Sequence, residues 1–269
     1  PQNPYPRIER GYVYLAQAAY QLARDDFDAA LAIDDTLPRA YLGRGQARFY
    51  LKAWSTATED LEEAIALNPD LADAYAWQGY ILYHRGAYAP AIDALRQAIS
   101  LDTARGEKDP VKHVHLGHAL RESGRPAAAV AAYDAALVLA PNDVRAHVGR
   151  ARAQSDLGDL EAMQVNLSHA MSAGPFDPEA LNGRAWLYAQ HTPQRLFEAR
   201  QLAQQAVDRA PTDLDRARYL FTLAWITYQQ NYDEQAIAIL EEAAALATIE
   251  GEVIYEQIPA LLEEIKSTQ

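Results

Sequence analysis

Gly11, Gly45 and Gly79 stand 34 residues apart, and the series resumes at Gly117, Ala151, Ala185 and Ala224 after extra residues before the fourth and seventh copies. A fixed period of this length admits only architectures in which one supersecondary unit is stacked on copies of itself. A second small residue follows twelve positions later at Ala23, Ala57, Ala91, Ala129 and Ala236. A third comes seven residues after that, at Ala30, Ala64, Ala98, Ala136, Ala170, Ala206 and Ala243. Between them lies a larger apolar residue: Phe27, Leu61, Leu95, Tyr133, Leu167 and Leu240. Pro69, Pro141, Pro175 and Pro211 close their copies.

Each column has a physical reason, and together they describe two antiparallel helices, A and B, per repeat. The first small residue lets the A backbone approach B, and the later two keep B thin where the next A packs. A bulky residue there wedges the stack open. The intervening Phe, Tyr or Leu buries apolar area worth about 1.5–3 kcal/mol per side chain. The closing proline cannot continue a helix, whereas Pro90, Pro126 and Pro193 sit near the start of helix B, where a missing N–H matters little. Gly86, Gly124 and Gly158, with Asn231 in the equivalent place, mark the turn from A to B. Apolar residues recur at helical spacing, as in Ala57, Leu61, Ala64 and Ile65, and no alternating run predicts a strand.

The pattern large-x2-Leu-Gly/Ala-x2-Tyr, followed by Ala, Phe/Leu, Ala and Pro, resembles the tetratricopeptide repeat family over about residues 4–247. The column where that family usually has an early Trp holds Arg7, Tyr41, Tyr75, His113, His147, Leu181 and Leu220. The resemblance implies an all-α, right-handed superhelical solenoid forming a single domain over 1–269. Its repeats fall at about 4–37, 38–71, 72–109, 110–143, 144–177, 178–213 and 217–249. The charged insertion 103–109 reads as an exposed loop, and repeat six carries about two additional residues around 191–194. A capping helix is expected at about 250–267, built on Val253, Ile254, Ile258, Leu261, Leu262 and Ile265 and kinked or split at Pro259.

The family's A helices line a concave groove. Aligning those positions implies a partner-binding surface of Tyr12, Gln46, Phe49, Tyr50, Trp77, Tyr80, Tyr83, His84, His115, His118, Arg121, Arg145, Arg152, Asn182, Trp186 and Trp225. Trp, Tyr and Arg dominate interface energetics, so the expected function is a scaffold that holds a peptide or protein, with Arg121, Arg145 and Arg152 meeting a carboxylate. The chaperone-tail clamp of some family members requires Lys, Asn, Asn, Lys and Arg. Here Ile8, Tyr12, Gly43, Asp73 and Trp77 occupy those places, and the clamp is absent.

Other chemistries find little support. A net charge of -13 and a pI near 4.9 oppose a nucleic-acid partner. No run approaches the roughly 18 apolar residues of a membrane span. Zero cysteines remove disulfides, thiolate metal sites and cysteine nucleophiles without fixing the compartment, cytoplasmic or extracytoplasmic. His113, His115 and His118 lie close together, but metal sites usually recruit a carboxylate or a third oriented ligand, and no metal or cofactor is expected. Asp25–Asp26, Glu62–Glu63 and Glu241–Glu242 read as a solvated outer face. No phosphate loop, nucleophile elbow or triad spacing is present, and the chain reads as a non-enzyme. Its start at Pro1 reads as that of a processed or excised piece. Two alternatives remain: self-association through an uncapped end, and the repeat portion of a larger envelope or export protein.

Overall fold

The computed structural model describes residues 3–250, 252–255 and 257–268; the side chains of Glu252, Val253 and Thr268 lie outside the description. Contacts divide the chain into two units, Pro1–Ala119 and Leu120–Gln269, with the division inside one helix.

The first unit holds α1 (Tyr5–Ala16), α2 (Tyr20–Leu31), α3 (Pro38–Tyr50), α4 (Trp54–Leu67), α5 (Ala72–His84), α6 (Tyr88–Arg105) and the beginning of α7 (Pro110–Glu122). Each pair α1/α2, α3/α4 and α5/α6 is a hairpin, and α2 packs on α3 as α4 does on α5. The columns are the seam. Ala23, Phe27, Ala30, Ala57, Leu61, Ala64, Ala91, Leu95 and Ala98 are completely buried. Phe27 shows why the facing positions are glycine. A Cβ on Gly11 would stand 2.7 Å from its Cζ, and one on Gly43, in the next repeat, 2.2 Å. The ring is therefore gripped between two helix backbones.

The second unit holds the rest of α7, then α8 (Pro126–Leu139), α9 (Val144–Asp156), α10 (Leu160–Ala173), α11 (Pro178–His191), a 3-10 turn (Pro193–Arg195), α12 (Leu196–Asp208), α13 (Asp213–Gln229) and α14 (Asp233–Leu246). Two short strands, β1 (Thr248–Ile249) and β2 (Glu252–Val253), precede α15 (Gln257–Thr268). Tyr133 repeats the role of Phe27, since a Cβ on Gly149 would meet its ring at 2.5 Å. Thr212 caps α13, accepting from the Asp215 amide at 3.1 Å, so this helix starts four residues before the position read from the repeat.

The A-to-B turns are left-handed at Gly86, Gly124, Gly158 and Asn231, with φ between 63° and 77°. Ala18 and Lys52 take the same conformation in the first two repeats at φ 56° and 61°. Those two turns carried no glycine or asparagine signal.

Several expectations are corrected. The insertion is only partly a loop: α6 runs on through 103–105 and ends at Gly106, φ 74°, leaving 106–109 as the connection. The capping helix begins at Gln257, not near 250, because Thr248–Ile249 and Glu252–Val253 form an antiparallel pair, Thr248 opposite Val253. That pair is too short to leave an alternating pattern in the sequence. Pro259 then falls in the first turn of α15, where no N–H partner exists to be lost, and it neither kinks nor splits the helix. Ile258, Leu261 and Ile265 are buried in the core that α15 shares with α13 and α14; the Val253 side chain lies outside the described residues.

Asp26 is not part of a solvated face. It is buried and receives both Nε and Nη2 of Arg10 at 2.6 Å. The pairing recurs with the period. Arg44 donates to Asp60 of its own hairpin, at 2.7 Å, and to Asp28 of the preceding one, at 2.8 Å. Arg150 likewise meets Asn166 and Asp134.

Candidate functional site

In the first unit, aromatic and histidine rings, all of them on A helices except Tyr20 of α2, form a continuous network. Tyr20 stacks on Tyr50 with centroids 4.3 Å apart, Tyr50 meets Trp77 edge-on, and Trp77 meets Tyr80. Tyr80 contacts both His84, at 4.5 Å, and His115, at 4.6 Å; Tyr83 approaches His118. Edge-to-face and stacked geometries like these add about 0.5–1.5 kcal/mol each beyond area burial. The expected surface residues divide in two. Tyr12, Gln46, Trp77, Tyr80, Tyr83, His115 and His118 are half-buried and Tyr50 is 38% exposed. Phe49, only 3% exposed, lies instead in the core, parallel to Trp54 and edge-on to Trp77, and His84 is buried beside it. Both were expected on the groove surface; the ring of Trp54, from helix B, draws them inward.

Tyr12 is pinned rather than presented. Its hydroxyl donates to the Arg39 carbonyl at 2.8 Å, and the Arg39 guanidinium lies 5.2 Å from its ring. Burial, opposed by Arg39, pushes its phenol up to about 12.

In the second unit the A-helix face is charged. Arg121 donates to Asp156 at 2.9 Å and pairs with its neighbour Glu122. Arg218 reaches Glu179 through both terminal nitrogens, Arg152 lies 3.6 Å from the same carboxylate, and the Tyr219 hydroxyl donates to it at 3.2 Å. Burial disfavours the Arg218 charge, but Glu179, Tyr219 and Asp215 outweigh it and raise the guanidinium well above its usual value. Sequence reasoning passed over Glu179, although it occupies the same repeat position as Arg145 and Arg218. Of the expected carboxylate-binding arginines, Arg145 is half exposed with Asp143 at 3.9 Å, whereas Arg121 and Arg152 already face carboxylates of their own chain. Trp186 packs on the Leu167–Leu187 cluster with Arg152 near its ring, and Trp225 packs on the last core. Asn182 is not a surface residue: it is 0% exposed, and among the described residues neither its amide nitrogen nor its oxygen has a partner.

Two stretches, residues 42–110 and 115–162, match the family model described as tetratricopeptide repeat. The fold is that of a tetratricopeptide-repeat solenoid. A solved tetratricopeptide repeat protein from Parabacteroides merdae aligns over 98% of both chains at 16% identity and a TM-score of 0.72. The pilF protein of Pseudomonas aeruginosa aligns over 80% of this chain and 96% of its own at 20% identity, TM-score 0.60. YrrB, described as a TPR protein with an unusual peptide-binding site, covers 69% of this chain and 92% of its own at 19% identity, TM-score 0.51. No curated protein matches the chain by sequence.

Within the tetratricopeptide-repeat frame, His113 stands in the packing column and not on the aromatic face. Burial pulls its pKa below the ordinary histidine value, against the attraction of Asp109 and Asp102. The folded state thus refuses a proton that the unfolded chain accepts, so stability falls as pH drops below about 6.5. The melting temperature is expected to decrease between pH 7.5 and 5.5, and a His113→Phe variant to show a smaller decrease. His115 and His118 have centroids 6.2 Å apart, and among the described residues no three His, Asp or Glu side chains converge as a metal site. No described helix is long and apolar enough to cross a membrane.

Proposed function

We propose that this chain is a non-catalytic interaction scaffold whose A-helix faces hold a peptide segment of a partner protein. The ring network of Tyr50, Trp77, Tyr80, Tyr83, His115 and His118 carries the proposal. Its members are held in place by one another and partly open to solvent, so little rotamer entropy is lost when they cover an apolar side chain. The tetratricopeptide-repeat fold and the peptide-binding description of YrrB support the same reading. Of the three arginines expected to meet a carboxylate, Arg145 is the accessible one. Arg121 and Arg152 keep their internal carboxylates and orient the surrounding face. Trp186, Trp225 and Tyr12 act as packed walls.

Peptides selected from a random display library on the wild-type chain provide the ligand for the test. Tyr50→Ala and Tyr83→Ala together are expected to weaken a selected peptide by at least about tenfold in calorimetry, which corresponds to about 1.4 kcal/mol. Unchanged affinity in a variant of wild-type melting temperature would remove the aromatic face from the binding site.

A further inference from the structure

Within the second unit the stacking opens between the fifth and sixth hairpins. The backbones of α10 and α11 approach one another closely at fewer places than those of α8 and α9 or of α12 and α13. Met163 lies at this junction. The column holds alanine at Ala23, Ala57, Ala91, Ala129 and Ala236, all completely buried. Met163 is buried too, packed with Ala151, Leu167 and Leu187. A 3-10 turn, Pro193–Arg195, follows α11.

Between α10 and α11 lies a cavity of about 600 Å3, within the range that accommodates small organic ligands. One wall is apolar, made by Leu160, Met163, Leu167 and Leu187. The other is built on Tyr188. Its hydroxyl accepts from Arg184 Nε at 2.7 Å and from Arg195 Nη1 at 2.5 Å, and the two guanidinium groups lie 5.0 and 4.7 Å from its ring centroid. The Tyr188 oxygen thus takes two donors, and among the described residues its own proton has no acceptor. Among the described residues only Glu198 offsets the two cations, at 3.8 and 3.6 Å, too long for direct hydrogen bonds. A locally positive corner beside an aliphatic wall, on a chain of net charge -13, matches an anion with an apolar body.

We propose that this cavity binds a medium-chain aliphatic monocarboxylate, its tail along Leu160, Leu167 and Leu187 and its head on the guanidinium groups of Arg184 and Arg195 and the Tyr188 hydroxyl. The site lies within the second unit, between α10 and α11.

Calorimetry with decanoate below its micelle concentration tests this, with 1-decanol as a neutral probe of the same length. Decanoate is expected to bind at one site, at least tenfold more tightly than decanol. Ser168 is exposed on α10 at the cavity rim, so Ser168→Trp fills the opening without touching the core. It should weaken both probes at least tenfold, while Arg195→Gln should weaken decanoate alone. Circular dichroism melting confirms that each variant is folded. Absence of decanoate binding, equal affinity for decanol, or binding indifferent to Ser168→Trp in the folded variant would overturn the proposal.

Discussion

Phe49→Ala is expected to lower the unfolding free energy by about 3–5 kcal/mol, the range for deleting a buried aromatic ring. At 3% exposure the ring is stacked on Trp54 and touches Tyr50, Trp77, Tyr80 and His84. The void left behind would be lined by rings that cannot collapse into it without giving up contacts with one another. Tyr50→Ala, one residue along the same helix, removes a side chain that is 38% exposed and should lose about 1 kcal/mol or less, mainly its stacking on Tyr20. Urea denaturation of the two variants measures the contrast. It bears on function, because loss of peptide binding in Phe49→Ala would reflect a damaged scaffold, whereas loss in Tyr50→Ala would reflect a lost contact. Equal destabilisation of the two would contradict the division between core and surface drawn along α3.

Glu179→Ala should lose about 3 kcal/mol, because removing one member of a buried charge cluster strands the others. Its carboxylate is the shared acceptor for Arg218 and the Tyr219 hydroxyl and the counter-charge for Arg152. The value sits at the lower end of the range for buried pairs since the Arg218 side chain remains about one-third exposed. The triple replacement Glu179→Met, Arg152→Leu, Arg218→Met removes the charges together and should recover most of the loss. Chemical denaturation of the two variants decides: a Glu179→Ala variant as stable as wild type would mean that solvent, not Glu179, balances these arginines.

Several features of the fold were legible because their causes are local. Helix formation follows from apolar residues at helical spacing, and the left-handed turn at Gly86, Gly124, Gly158 and Asn231 follows from residue types that tolerate positive φ. Ala18 and Lys52 adopt the same turn without that signal, because the hairpins on either side impose it. The strand pair of 248–249 and 252–253 left no sequence signal since two residues per strand are too few to alternate. The candidate surface was legible as columns of aromatic and charged residues, but not as a list of accessible groups. Phe49 and Tyr50 are adjacent in sequence and chemically alike, and only Trp54, arriving from the next helix, decides which one is buried.

The sequence by itself determined the helical hairpin, its 34-residue period, the small-residue seams and the turns, since each depends on residues within one or two helical turns of one another. The tertiary structure alone decided that Asp26 and Glu179 are buried counter-charges, that Asn182 lies in the interior with no partner among the described residues, and that Met163 lines a cavity between α10 and α11. Those outcomes depend on distances between helices from different repeats, which are set by how side chains from separate parts of the chain share space, and no single column records that.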